Sequence, residues 1–214
     1  MNTLSAERSP RYRCNAFTLM AAGEFPAPDD WEKCVPLNLV DTLTGLPPLQ
    51  ATEVRLGWSE DYLHIRYVCQ DPYVVSDFTE RDQPLYEQDV VEVFIDEEGD
   101  GRKYMELEVS PHNVVFDAFI HNDDGAGLNL KADVTWQMNG LRTKVESDDQ
   151  GNRVYFIHIP SCNFKSPLTS GLCWKVNMYR IDENEQGERE YQAWQPTGAI
   201  NFHIPAKFGL FQLV

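Results

Sequence analysis

The sequence predicts an all-β fold, a two-sheet antiparallel β-sandwich of immunoglobulin-like or jelly-roll type. Three observations carry this. No stretch of a dozen residues keeps a helical period, several stretches alternate apolar and polar residues at the spacing of two that a strand requires, and turn residues recur every ~8–12 positions. The most regular stretch is Gln83 to Phe119. In it Val91, Val93 and Ile95 share one face, and a turn follows at Glu97-Glu98-Gly99-Asp100-Gly101. From Lys103 to Ser110, Met105, Leu107 and Val109 point one way while Tyr104, Glu106, Glu108 and Ser110 point the other. Pro111-His112-Asn113 then turns the chain into Val114–Phe119. The expected result is a sheet with an apolar face and an open polar face.

The remaining elements follow in order. Residues 1–10 are polar and read as a flexible arm, and residues 11–214 as a single domain. Asn15–Met20 reads as a first short strand, and Asp29-Asp30-Trp31-Glu32 as a helical turn capped by Asp29 or Asp30. Leu37–Val40 is a short apolar run. Thr52–Gly57 and Tyr62–Gln70 form a hairpin across Trp58-Ser59-Glu60-Asp61, and a polar connection runs from Asp71 to Pro84. Val134–Met138 and Leu141–Val145 are expected to pair across Asn139-Gly140, because Asn-Gly is the preferred two-residue hairpin turn. Ser147–Asn152 turns into the strand Val154–Ile159. Leu172–Ile181 is a long strand with Trp174, Val176 and Met178 inward, Tyr191–Trp194 resumes the sheet, and Phe208–Val214 closes it.

The chain has 214 residues, ample for a core, and a net charge of −16. That charge repels phosphate backbones and anionic lipid, which makes nucleic acid and membrane surfaces poor partners. The start of the chain lacks the apolar core of a secretory signal, and no run approaches the ~18 apolar residues of a membrane span. A cytoplasmic protein is expected from the chain as given, or an extracellular one if a leader has been trimmed. Five cysteines without a C-x-x-C pair do not read as a disulfide framework. Cys14 with Cys34 is the pair open to bridging, while Cys69 and Cys173 are expected as buried thiols.

Candidate chemistry falls in three places. Glu106 and Glu108 lie about 7 Å apart along one strand face with Glu92 near on the neighbouring strand, a separation open to glycoside hydrolysis but also to solvated or ligand-bonding carboxylates. The loop Asp96–Gly101 offers hard oxygen ligands suited to Ca²⁺, with Asp96 or Asp100 as a ligand, though without the twelve-residue spacing of a specific calcium loop. His64, His112, His121, His158 and His203 show no zinc spacing. Met105 and Met178 fall on core faces rather than at a haem. Tyr86 and Phe202 sit in loops just outside strands, beside Pro84 and near Pro205, where a ring can present a face to the C–H groups of a sugar.

Pro84-Leu85-Tyr86-Glu87-Gln88-Asp89-Val90-Val91-Glu92-Val93-Phe94-Ile95-Asp96 resembles the signature of the family 9 carbohydrate-binding modules. Trp58–Ile65 resembles that family's hairpin, Gln70-Asp71-Pro72 its continuation and Pro205-Ala206-Lys207-Phe208-Gly209 its closing motif. The resemblance implies a non-catalytic sandwich that grips the end of a neutral glycan, such as one of cellulose or xylan, between two rings, with bound Ca²⁺ and a glycoside hydrolase as partner. The ring positions match Tyr86 and Phe202, where the family has tryptophan. The polar sugar contacts match Asn177, Glu108 and Ser110, the last two standing where a characterised member has Arg and Asn. An enzyme using Glu92, Glu106 or Glu108, and an interaction domain without a sugar site, are the alternatives.

Overall fold

The computed structural model describes residues 10–18, 24–125, 127 and 129–214. Most of the expected arm, and the end of the expected strand Asn15–Met20, lie outside the described residues. The strands are β1 (Arg11–Ala16), β2 (Leu37–Asn38), β3 (Val40–Asp41), β4 (Thr52–Trp58), β5 (Tyr62–Cys69), β6 (Val90–Asp96) and β7 (Lys103–Val109). They continue with β8 (Val115–Asn122), β9 (Leu130–Asp133), β10 (Arg142–Ser147), β11 (Arg153–Pro160), β12 (Cys173–Glu183), β13 (Arg189–Ala193) and β14 (Gly209–Leu213). The helical turn α1 spans Pro28–Trp31. It is held by Asp30, whose carboxylate accepts the Ala27 N–H at 3.1 Å, so the acidic residue acts from inside the turn rather than as its cap.

One sheet runs β14-β12-β6-β7-β8-β9 and the other β10-β11-β5-β4, with β1 between them. Apolar residues from both sheets meet in one core. Val54, Leu56, Ile65, Tyr67 and Ile157 on one side face Val91, Val93, Leu107, Val109, Trp174 and Val176 on the other. Met105 and Met178 lie in it as expected. The sandwich is antiparallel except at β1, which pairs parallel with β14 through Arg11–Cys14 and parallel with β4 through Asn15 and Ala16. A strand that serves one sheet with its first half and the other with its second ties the two together.

Two expectations are corrected here. Asn139-Gly140 does not close a hairpin. Residues 130–133 pair with β8, while residues 142–147 pair with β11 in the other sheet. The turn crosses the edge of the sandwich and is held by tertiary contacts instead. Asp117 accepts the Met138 N–H at 2.5 Å, and Asn163 accepts the Asn139 N–H at 2.7 Å. The cysteines are free: Cys14 and Cys34 are buried and unbridged, and Cys173 is exposed rather than buried.

The second face of the β12-β6-β7-β8 sheet is not open. Every residue of β6 is buried, as is each residue of β7 after Lys103. Loops fold over this face and form a second cluster of Leu85, Phe94, Tyr104, Phe116, Tyr179, Ile181, Phe202 and Phe208.

Candidate functional site

Two loops roof that second face, and each carries one of the expected aromatic rings. Tyr86 sits in the single 3₁₀ turn Leu85–Glu87 before β6. Leu85 is buried and anchors the turn, Glu87 N–H bonds the Pro84 carbonyl at 3.0 Å, and Arg189 donates to the Glu87 carbonyl. Asp89 fixes the end of the loop by accepting N–H groups from Val75 at 2.6 Å and Glu183 at 2.8 Å. The Tyr86 ring, thus held by its backbone, remains 50% exposed.

Phe202 comes from the loop before β14. It stacks flat on Tyr179, with ring centroids 4.0 Å apart and planes at 11°. The Tyr179 hydroxyl donates to the Phe202 carbonyl at 2.9 Å and accepts from the Asn177 amide at 2.8 Å. Asn177 spends its remaining groups on Gln195, accepting its N–H and donating to its carbonyl, both at 2.9 Å. Asn177 is therefore fully engaged in positioning Tyr179 and the Phe202 loop, and does not line the cavity. Next to Phe202, the His203 ring nitrogen Nδ1 meets the Tyr104 hydroxyl at 2.9 Å. Gly127 lies against the same segment. Gly127 has φ +80°, and a Cβ there would lie 2.4 Å from the His203 carbonyl oxygen.

Between these loops is a cavity of about 740 Å³ that both Tyr86 and Phe202 line. Glu92 and Glu106 form its polar floor, and Phe94, Phe116, Ile120, Ile181 and Ile200 contribute apolar walls. Glu108 lies directly opposite Glu92 in the β6–β7 register, next in line on the same face as Glu106. The three carboxylates bring oxygens within 4.8 Å of one another. All three are buried rather than solvated. Burial away from water, together with one another's charge, holds Glu92 and Glu108 well above the usual carboxylate range and raises Glu106 to about 8, desolvation being its main cause.

Of the expected site residues, the fold brings Tyr86 and Phe202 to the cavity, while Glu108 lies beneath it against Glu92 and Glu106 without lining it. It does not bring Asn177, as above, or Ser110, whose hydroxyl accepts the Val114 N–H at 3.1 Å to shape the β7–β8 turn. Glu92 and Glu106 were read, with Glu108, as carboxylates open to catalysis or to ligand bonding, and Tyr191, Arg189 and His203 not as site residues at all. The alternation of β6 and β7 does carry the signal for the first two, since it puts them on the Tyr104 face.

The expected calcium loop does not fit a cation. Asp96 gives its two oxygens to the N–H groups of Gly99 at 2.7 Å and Gly101 at 2.8 Å. Asp100 accepts from Arg102 N–H at 2.8 Å, and Glu98 pairs with Lys165. These carboxylates shape the β6–β7 turn and do not converge. Among the described residues, converging trios occur only at Glu92/Glu106/Glu108 and at Asp71/Asp89/Asp182.

A β-sandwich with an aromatic-walled slot roofed by loops defines a small-ligand binding module. The chain belongs to the carbohydrate family 9 binding domain-like family, whose model matches residues 29–214. A curated relative, an extracellular protein of Arthroderma benhamiae, is 25% identical over 183 residues, covering 80% of this chain and 82% of that one. A protein of Bacteroides uniformis provisionally called carbohydrate-binding superposes with a TM-score of 0.77 at 17% identity, over 96% of this chain and 100% of the other. A family 9 carbohydrate-binding module of Caldicellulosiruptor kristjanssonii, solved with cellotriose, superposes with a TM-score of 0.67 at 17% identity, over 95% of this chain and 93% of its own. Among the described residues no helix is long and apolar enough to cross a membrane.

Proposed function

We propose that the cavity holds the end of a saccharide, with Tyr86 and Phe202 as walls and Glu92 and Glu106 as the polar floor. The observation that carries this reading is the meeting of the two rings at one cavity, 116 residues apart in sequence, in a chain of this family. A pyranose presents C–H groups on its faces and hydroxyls around its edge, so a ring wall and a polar floor suit it together. Stacking adds about 1 kcal/mol per ring beyond area burial, and each hydrogen bond about 1 kcal/mol. After the losses of association the affinity falls roughly between micromolar and millimolar.

Binding without turnover is the better reading of the carboxylates. Glycoside hydrolysis needs two carboxyl groups flanking the scissile bond. Glu92, Glu106 and Glu108 share one floor, on neighbouring strands of one sheet face. Such a module would serve a glycoside hydrolase partner, as the resemblance implies. An extracellular setting suits a glycan ligand and matches the name of the curated relative, support that the cytoplasmic expectation lacks.

Calorimetric titration against gluco-, xylo- and manno-oligosaccharides, and their amino derivatives, tests the reading. Saccharide binding that weakens at least several-fold in Tyr86→Ala supports the slot. Binding that Tyr86→Ala leaves untouched moves the site elsewhere, and a wild type that binds none of the panel supports the interaction-domain alternative.

A further inference from the structure

The floor of the slot carries more carboxyl groups than a neutral sugar calls for. Glu92 is 2% exposed, Glu106 6% and Glu108 0%. Among the described residues Glu92 Oε1 meets no hydrogen-bond donor, and Glu108 is left with the neighbouring Glu106 carboxyl and the Tyr86 backbone, neither at full hydrogen-bond geometry. A neutral pyranose is served by a mixture of donors and acceptors. Three carboxylates, once ionised, offer acceptors alone.

The groups facing this floor do not neutralise it. Among the described residues that line the cavity, Arg189 is the one with a fixed positive charge, and it is engaged by the Glu183 carboxylate at 2.9 Å and the Glu87 carbonyl. His203 Nε2 lies 3.8 Å from Glu106, but burial lowers its pKa to about 4, which leaves it neutral in ordinary buffers. Tyr104 and Tyr179 supply hydroxyls already bonded to His203 and to the Phe202 carbonyl. Tyr86 and Tyr191 add hydroxyl-bearing rings, and Glu87 and Asp82 add further carboxylates at the rim.

We propose that the slot takes an amino sugar: a pyranose whose ammonium group sits on Glu92 and Glu106, with the Glu108 carboxyl behind them, while its ring lies against Tyr86 and Phe202. This rests on the reading of the cavity as a saccharide slot and names the class of saccharide. An ammonium has three donors and no acceptor, which suits the facing carboxyl oxygens of Glu92 and Glu106. Its charge is also favoured by ring faces, as a cation over an aromatic face is. A bare divalent cation would use the floor but leave an apolar, aromatic-walled space of about 740 Å³ unfilled. The chain-end unit of a glucosamine oligomer uses both.

The test is a set of calorimetric titrations of the whole chain at pH 6 with three trimers of similar shape: glucosamine trimer, N-acetylglucosamine trimer and cellotriose. Calcium chloride is titrated alone in parallel. Glucosamine trimer binding at least tenfold tighter than both other trimers supports the proposal. Glu106→Gln, which keeps shape but cannot ionise against the ammonium, is then expected to lower that ratio at least fivefold. Should the variant misfold, Glu92→Gln gives a second reading of the same ratio. Cellotriose binding as tightly as glucosamine trimer would overturn the amino-sugar proposal while leaving the saccharide slot standing. Absence of binding by all three trimers would overturn both. Calcium binding that competes with glucosamine trimer and is lost in Glu106→Gln would reassign the floor to a metal and overturn the proposal too.

Discussion

Asp71, Asp89 and Asp182 converge at one end of the core between the sheets, while Glu92, Glu106 and Glu108 converge on the other face of the same sheet. Both trios are buried. The aspartate trio has guanidinium groups beside it, although among the described residues both Asp71 oxygens, like those of Glu108, accept no hydrogen bond and burial raises all three carboxyls. Arg180, 2% exposed, pairs with Asp182 at 2.5 Å and donates to Thr52 at 3.1 Å. Arg153 stands 3.8 Å from Asp71, and Asp89 takes two backbone N–H groups. Among the described residues the glutamate trio has no comparable cation, and it adjoins a cavity. Equal numbers of carboxylates thus serve opposite ends. One trio joins the loops before β6 and after β5 to β12, and the other is kept short of positive charge, as a floor awaiting a cationic ligand must be.

The largest effect should come from breaking the balanced trio. Arg180→Met leaves buried aspartates without their counter-charge, which is expected to destabilise the fold by about 3–5 kcal/mol. Urea denaturation would read this as a lower midpoint at unchanged slope. A loss under about 1 kcal/mol would mean that the two trios do not differ as described.

The next effect concerns Phe202. Tyr86 and Phe202 both sit in loops outside strands, but the structure separates them. Phe202 is 9% exposed and stacked on Tyr179, so Phe202→Ala is expected to cost about 3 kcal/mol as well as binding. Tyr86 is half exposed, and Tyr86→Ala should weaken binding while moving the thermal midpoint by no more than about 2 °C. Comparable thermal losses in the two variants would contradict the assignment of Phe202 to both core and wall.

Acid–base linkage sharpens the same contrast. Glu106 is raised to about 8 in the folded chain and titrates near its ordinary value when unfolded. Between those values the folded state holds a proton that the unfolded state has lost. Its contribution to stability is therefore full below about pH 4.5 and falls as pH rises to about 8. Glu106→Gln cannot ionise, so the difference in stability between variant and wild type should grow in favour of the variant by a few kcal/mol from pH 5 to pH 8. A difference that stays flat would mean that Glu106 has a counter-charge after all.

The smallest effect expected is that of calcium. Asp96 and Asp100 are occupied by backbone donors, so melting in excess Ca²⁺ and in chelator should agree within about 1 °C. A clear rise with Ca²⁺ would restore a metal site.

Much of the fold was legible because strand alternation is local. Val91, Val93, Ile95, Met105, Leu107 and Val109 all face the core as their spacing requires. The same alternation put Glu92, Glu106 and Glu108 on one face. It could not say that this face is covered, because the covering loops around Tyr86 and Phe202 have no period. Asn139-Gly140 misled for a related reason. Gly140 does adopt φ +69°, as the turn chemistry asks, but Asp117 and Asn163 hold its flanks from elsewhere in the chain, and such contacts leave no local trace. The parallel pairing of β1 is likewise set by partners that lie far off in sequence. Asn177 was placed correctly on its strand face, but its engagement with Gln195 was not legible, since Gln195 lies in a loop whose path the sequence does not reveal.

The central claim is that the glutamate floor is neutralised by protons when empty and by the ligand when filled. Proton release on binding tests it most directly. Glucosamine trimer is titrated at pH 6 in two buffers of different ionisation enthalpy, with cellotriose as the uncharged comparison. The account predicts release of about one proton per glucosamine trimer bound and none with cellotriose, because an ammonium against the carboxylates favours their ionised form. Glucosamine trimer that binds with no proton release, or with proton uptake, would contradict it.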